Sequence, residues 1–259
     1  MPLINNRGIA NQVSNSNQTV TGKIRYVKSI DTSGWLWVKL EPSKENVYLC
    51  EFTKVLLVKD ESGRSYFSIM EGPYAKKTAS LSSVNAKKCL IQIKRSLGAN
   101  IIVIISGRQW VISKPRNNTG YNQLVSILNF NGDTAKITLD SDIDYEETNS
   151  NSPYFRKVRH SSPLPKGEYK ILAPDYPKDT SMTSFYRNNY GGYPDLKYDS
   201  VWFPIEYAGN QNSSFVHVGH LSEGCITISQ LDKWNDIYKY LISNRLDNEG
   251  KYVGILTIK

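Results

Sequence analysis

Ser214 to Ser229 reads SFVHVGHLSEGCITIS, and no other stretch of the chain gathers reactive side chains so closely. Two β-type runs, Phe215–Val218 and Cys225–Ile228, flank a short loop bearing Gly219, His220, Ser222, Glu223 and Gly224. Read as an antiparallel hairpin centred on Leu221, the segment sets His217 opposite Cys225. Directly opposed residues have Cβ atoms about 4.5 to 5.5 Å apart, which brings an imidazole within reach of a thiol. An unperturbed thiol, with a pKa near ~8.5, is mostly protonated at neutral pH, and a neighbouring imidazolium stabilises the thiolate that attacks a carbonyl. Gly224 allows close backbone approach, so amides near Glu223, Gly224 and Cys225 are candidates for an oxyanion hole. The plainer alternative stands beside this: a cysteine after glycine at a strand start is often a small buried hydrophobe, and its histidine neighbour a satisfied core residue.

Working outward, LVSILNFNGDTAKITLD (124–140) places Asn131-Gly132 between alternating apolar runs, a tight-hairpin signal. The acidic run Asp140, Asp142, Asp144, Glu146 and Glu147 reads as a solvated loop without chemistry. Over Ser229–Arg245, Leu231, Trp234, Ile237, Tyr238, Leu241 and Ile242 fall at helical spacing, with Ser229 as a cap. A turn at Asn248-Glu249-Gly250 leads to a last strand, Tyr252–Ile258, making the C-terminal half α+β.

The N-terminal half reads as mostly β. Val20, Ile24, Tyr26 and Ile30 recur at even positions, and Trp35–Leu40, Val55–Val58 and Ile101–Ile105 are rich in β-branched and aromatic residues. A small β-barrel or sandwich over 19–113 is expected, preceded by an Asn-rich flexible tail at 1–18 and followed by a boundary at Lys114–Asn118 and a second domain at 119–259. The cluster Lys76, Lys77, Lys87, Lys88, Lys94 and Arg95 reads as a solvated face in preference to a docking surface for an anionic polymer. Cys50 and Cys89, without histidines nearby in sequence, read as structural thiols, and His160 as a basic-surface or cleft-rim residue.

The chain has 259 residues, 39% hydrophobic and 22% charged, with a formal net charge of +8. That suits a chain folded in water with an anionic partner, and excludes a disordered polymer. The longest apolar run, Ile101–Ile105, is far below the ~20 residues of a spanning helix. No Sec-type signal peptide is legible in the first twenty residues. Three cysteines and three histidines in no metal-ligand spacing lead us to expect no metal and no cofactor. The basic cluster lacks interleaved aromatics or a recognition pattern, so no specific nucleic-acid partner is expected.

His217-Val218-Gly219 followed by Ser222-Glu223-Gly224-Cys225-Ile226 resembles the signature of the L,D-transpeptidase (YkuD-like) catalytic domain. In that family a strand histidine and a glycine precede Ser/Thr-x-Gly-Cys and an aliphatic residue. Pro163-Leu164-Pro165-Lys166-Gly167-Glu168-Tyr169-Lys170-Ile171 resembles the family's proline and glycine turn leading into a strand, so the likeness spans about 119–259. It implies a β-rich catalytic domain in which Cys225 is the nucleophile, His217 the general base, and the amides of Gly224 and Cys225 the oxyanion hole. Gly219, His220, Ser222 and Glu223 would support or orient. The chain departs from the pattern at Glu223, where the family usually has His, at Thr227, where it has Arg or Asn, and in a shorter His-to-Cys loop. These departures resemble branches that hydrolyse or exchange the terminal D-amino acid of cell-wall peptides, some of them delivered as antibacterial toxins.

The order His before Cys, with the cysteine opening a strand, argues against the papain-like NlpC/P60 amidases. The aromatic, basic stretch Tyr186–Tyr193 reads either as a wall over the cleft, with Arg187 holding a peptide carboxylate, or as an ordinary loop with surface tyrosines. The expected substrate is therefore a peptidoglycan stem peptide, processed by transfer, exchange or carboxypeptidase chemistry, or bound without turnover. With no Sec signal, export into a bacterial envelope by a specialised secretion system is expected, with a carrier and an immunity protein as the partners that role implies.

Overall fold

Alternating burial organises the first half of the chain, as expected of strands with one face on a core. The computed structural model describes residues 22–115, 118–148, 150–207 and 213–259. The tail at 1–18, the expected start near Thr19, Val20, and Arg116-Asn117 of the expected boundary lie outside the described residues. Strands β1 (Ile24–Val27), β2 (Trp35–Glu41), β3 (Asn46–Cys50), β4 (Lys54–Glu61), β5 (Arg64–Ile69), β6 (Thr78–Ser82) and β7 (Leu90–Ile91) form one seven-stranded sheet, ordered β3-β2-β6-β5-β4-β1-β7. Leu36, Val38 and Leu40 of β2 and Phe67 and Ile69 of β5 supply its buried face. Helix α1 (Ser83–Cys89) is capped by the Ser82 hydroxyl, which accepts from the Asn85 amide; it buries Ala86 and Cys89 and leaves Lys87 and Lys88 exposed. In β1 the phase is opposite to that expected from the even positions. Val27 is buried while Ile24 and Ile30 are exposed, because the strand turns its odd positions to the core.

After β8 (Ser96–Leu97), the chain enters an eight-stranded closed barrel. Its members are β9 (Ala99–Ile112), β10 (Gly120–Phe130), β11 (Asp133–Asp140), β14 (Gly167–Leu172), β15 (Phe203–Glu206), β16 (Phe215–Val218), β17 (Glu223–Ile228) and β19 (Tyr252–Ile258), in the order β10-β11-β17-β16-β15-β14-β19-β9. The remaining elements are the hairpin pair β12 (Asp144–Glu146) and β13 (Val158–His160), helices α2 (Phe185–Asn188) and α3 (Trp234–Ile242), and β18 (Asn244–Arg245), which pairs with β8. The protein is thus mainly β; the first half, read as a small barrel or sandwich, forms an open seven-stranded sheet, and the closed barrel is built from β9 onward, most of it in the C-terminal half. The expected boundary at Lys114–Asn118 falls within the β9–β10 hairpin; β9 is a barrel strand, so the change of sheet comes between Ile91 and Ala99.

The turn Asn131-Gly132 closes β10 onto β11 with φ of +46° and +79°, the conformation a two-residue hairpin needs. Helix α3 is shorter than expected: 231–233 form a 3₁₀ turn, and Ser229 donates to the Lys136 carbonyl instead of capping. Its expected apolar positions are all buried in the barrel's core, and Trp35 and Cys50 of the first sheet join the same cluster. No described helix is long and apolar enough to cross a membrane.

Candidate active site

Val216, Val218, Ile226 and Ile228 point into the barrel core, so by strand alternation Phe215, His217, Cys225 and Thr227 share its outer face. The pairing that brings them together is parallel, with Val216, His217 and Val218 opposite Ile226, Thr227 and Ile228. This corrects the expected hairpin: His217 faces Thr227, and Cys225 lies two residues before Thr227 on the same strand, diagonal to His217. Parallel strands ordinarily need a long crossover. Here an irregular turn at Ser222–Cys225 takes up the slack, because Glu223 and Thr227 oppose Asp140 and Thr138, four residues of β17 against two of β11.

Ser222 holds that turn. Its amide donates to Ser141 Oγ (2.8 Å), its hydroxyl donates to the Cys225 carbonyl (2.8 Å), and it accepts from the Gly224 amide (3.2 Å). The Gly224 N–H, expected in an oxyanion hole, is therefore turned inward onto Ser222. Gly224 adopts φ +103°, and a Cβ there would run into the Ser162 carbonyl oxygen, so only glycine fits. Glu223 is exposed, and its charge opposes ionisation of the thiol.

His217 is 7% exposed and fully bonded. Its Nδ1 lies 2.9 Å from the Val218 carbonyl, which can only accept, so Nδ1 carries the proton and Nε2 accepts from the Thr227 hydroxyl at 3.2 Å. The ring stacks on Trp202, with centroids 4.1 Å apart and planes at 18°. Burial pulls its pKa down to about 4, so the imidazole is a neutral base with Nε2 as the basic atom. Cys225 retains partial exposure, yet desolvation pushes its thiol up to about 12; a backbone hydrogen bond from Phe215 and the nearby Lys178 cation act in the opposite direction. The resting pair is neutral on both sides.

A cationic and aromatic rim covers this face. Lys178 Nζ lies 3.8 Å from the Tyr176 ring centroid, 4.4 Å from that of Phe215 and 5.8 Å from that of Trp202, while Trp202 meets Phe215 edge-on at 5.5 Å. Reading the sequence missed Lys178: the Asp175–Lys178 segment is remote in sequence from Cys225 and carries no motif.

The other expected residues separate. His220 lies past the C-terminal ends of β16 and β17. Its amide donates to the Tyr186 hydroxyl, its ring bonds the Ser229 backbone, and burial lowers it to about 4. It lines a separate cavity of about 310 Å³ with Gly191, Gly192 and Tyr193, so it does not support Cys225. Gly219 packs beside Thr227, where a Cβ would meet the threonine methyl at 3.0 Å. Arg187 is bonded to Asp199, which also accepts from Thr183 Oγ1 (3.0 Å), so it ties α2 to the 199 loop instead of facing the thiol.

Asp140, expected in a solvated run, is fully buried; it binds Arg108 and the Ser161 hydroxyl and braces the strand beside the turn. His160 is exposed and paired with Asp142 and Asp144, which raise its pKa. Cys50 and Cys89 are buried and pushed up by desolvation. Among the described residues no group of three or more His, Cys, Asp or Glu side chains converges as a metal site. Comparison of the chain with family models, curated proteins and solved structures finds no match.

Proposed function

We propose that the protein is a cysteine acyl-transfer enzyme acting on peptidoglycan stem peptides. What carries the reading is one observation: a partly open thiol and a neutral imidazole share the outer face of two adjacent barrel strands, one diagonal step apart, beside the Ser-x-Gly-Cys turn. In the proposed reaction Cys225 gives its proton to His217 Nε2, which reaches the thiol once the Thr227 hydroxyl releases it. The sulfur attacks the amide carbon after an L-centre of the stem, the imidazolium returns the proton to the leaving D-amino acid, and a thioester remains. An amine then resolves it in transfer or exchange, and water in carboxypeptidase action. The uphill first step needs help from charge at the site, since free thiol and imidazole hold their neutral forms.

A second reading is binding of cell-wall peptide without turnover. It is favoured by the hydrogen bonds that occupy both His217 nitrogens and by the inward-turned Gly224 amide. Muropeptides with tetrapeptide stems, incubated with wild type and Cys225→Ala, separate the two: the enzyme reading expects shortened or exchanged stems with wild type alone. As a cell-wall toxin carried by a specialised secretion system, the protein would be harmful when directed to the periplasm in its wild-type form and harmless as Cys225→Ala.

A further inference from the structure

The rim over Cys225 contains a cation without an anion. The Lys178 amide is fixed by a 2.8 Å hydrogen bond to the Ser200 carbonyl, and the half-buried side chain ends among the Tyr176, Phe215 and Trp202 rings. No carboxylate among the described residues pairs with its ammonium. Aromatic faces attract a cation, but they leave its N–H donors free of strong acceptors. Two of those residues tie it to the reactive groups: Phe215 lies beside Cys225, one step before the Val216–Ile226 pair of the parallel strands, and Trp202 stacks on His217. Arg187, the other basic side chain considered for an anion, is committed to Asp199.

We propose that Lys178 is the anion-binding residue of the Cys225 site and holds the free carboxylate of the acyl donor's terminal residue. The assignment of that anion rests on the acyl-transfer reading above. A terminal carboxylate lies only three bonds from the scissile carbon, so an ammonium above the thiol holds both the donor's end and its reacting amide in register. It also makes the site discriminate: a donor ending in a carboxylate gains an ion pair, and the same donor ending in an amide does not.

The test uses two thiol reagents of the same reaction and opposite charge character, anionic iodoacetate and neutral iodoacetamide. Modification of Cys225 is followed by peptide-resolved mass spectrometry in wild type, Lys178→Met and Lys178→Arg, each checked for an unchanged melting temperature. Because the Lys178 cation also favours the thiolate, its loss slows both reagents; that change in thiolate fraction cancels in the ratio of the two rates, and only an anion site changes the ratio itself. Wild type is expected to show an iodoacetate-to-iodoacetamide ratio about tenfold above that of Lys178→Met, a modest screened attraction, with Lys178→Arg near wild type. An unchanged ratio in Lys178→Met overturns the proposal, as does a Cys225 that neither reagent alkylates in the folded protein at alkaline pH, where enough thiolate is present to react with any reagent that reaches it.

The second arm compares stem peptides with free and amidated C-termini. Preference for the free acid in wild type, lost in Lys178→Met, supports the carboxylate assignment. A shifted alkylation ratio with no turnover of either peptide keeps the anion site and overturns its link to an acyl donor.

Discussion

His217 owes its state to two hydrogen bonds and one aromatic ring. The Val218 carbonyl fixes the tautomer, the Thr227 hydroxyl occupies the basic nitrogen, and Trp202 covers one face and keeps water off the ring. Burial holds His217 and His220 at about 4 when folded, against about 6.5 in an unfolded chain. Their contribution to stability is therefore present above pH ~6.5 and is lost as pH falls toward 4, where the unfolded chain binds protons that the folded one refuses. The melting temperature is expected to fall across that interval, and to fall less steeply in His217→Gln, as differential scanning calorimetry would read. Cys225 and His217 were legible as a pair because a short motif names them. Thr227 as the imidazole's partner and Lys178 as the nearby charge were not, since one follows from strand register and the other from contacts between distant segments.

At the scale of elements, the turn Ser222–Cys225 decides the site's geometry. It converts two runs that read as a hairpin into a parallel pair, and so moves Cys225 from opposite His217 to its diagonal. Sequence alternation marks strands and their faces, but direction depends on how many residues a turn consumes, and symmetry about Leu221 carried no information on that. Helix α3 and the Asn131-Gly132 hairpin were legible because their signals are local, a 3.6-residue apolar period and a turn that demands positive φ. Asp140 was misread because its partners Arg108 and Ser161 are distant in sequence, and a run of acids gives no sign of which one is buried. The turn itself gives a prediction. In Gly224→Ala the φ of +103° alone costs about 1 to 3 kcal/mol, and the Ser162 carbonyl must also yield. Urea unfolding is expected to show an unfolding free energy lowered by at least that amount and a correspondingly earlier midpoint; an unchanged midpoint would mean the turn is not built this way.

For the whole molecule, the seven-stranded sheet keeps an apolar core of its own, around Leu36, Val38, Phe67 and Ile69, and is coupled to the barrel's core through a few buried side chains. Trp35 and Cys50 are packed into the barrel's cluster, the Tyr238 hydroxyl donates to Glu51 at 2.9 Å, and Tyr198 stacks on Tyr238 with centroids 3.9 Å apart. The Arg95–Glu71 ion pair, with side chains 12% and 4% exposed, joins the sheet to the segment leading into the barrel. Two units sharing buried area in this way are expected to unfold in a single calorimetric transition. Tyr238→Phe is expected to lower its midpoint, at a cost of about 1 to 3 kcal/mol for the hydrogen bond lost at Glu51. Two separated transitions in wild type would contradict this coupling.

The central claim, acyl transfer through Cys225, is tested most directly by intact-protein and muropeptide mass spectrometry. Wild type and Cys225→Ala would be incubated with tetrapeptide-stem muropeptides, with and without a free D-amino acid. The predicted result is a covalent stem-peptide adduct on wild type alone, together with loss of the terminal residue in water or its exchange when the D-amino acid is present. Folded wild type that forms no adduct and leaves every muropeptide unchanged would contradict it.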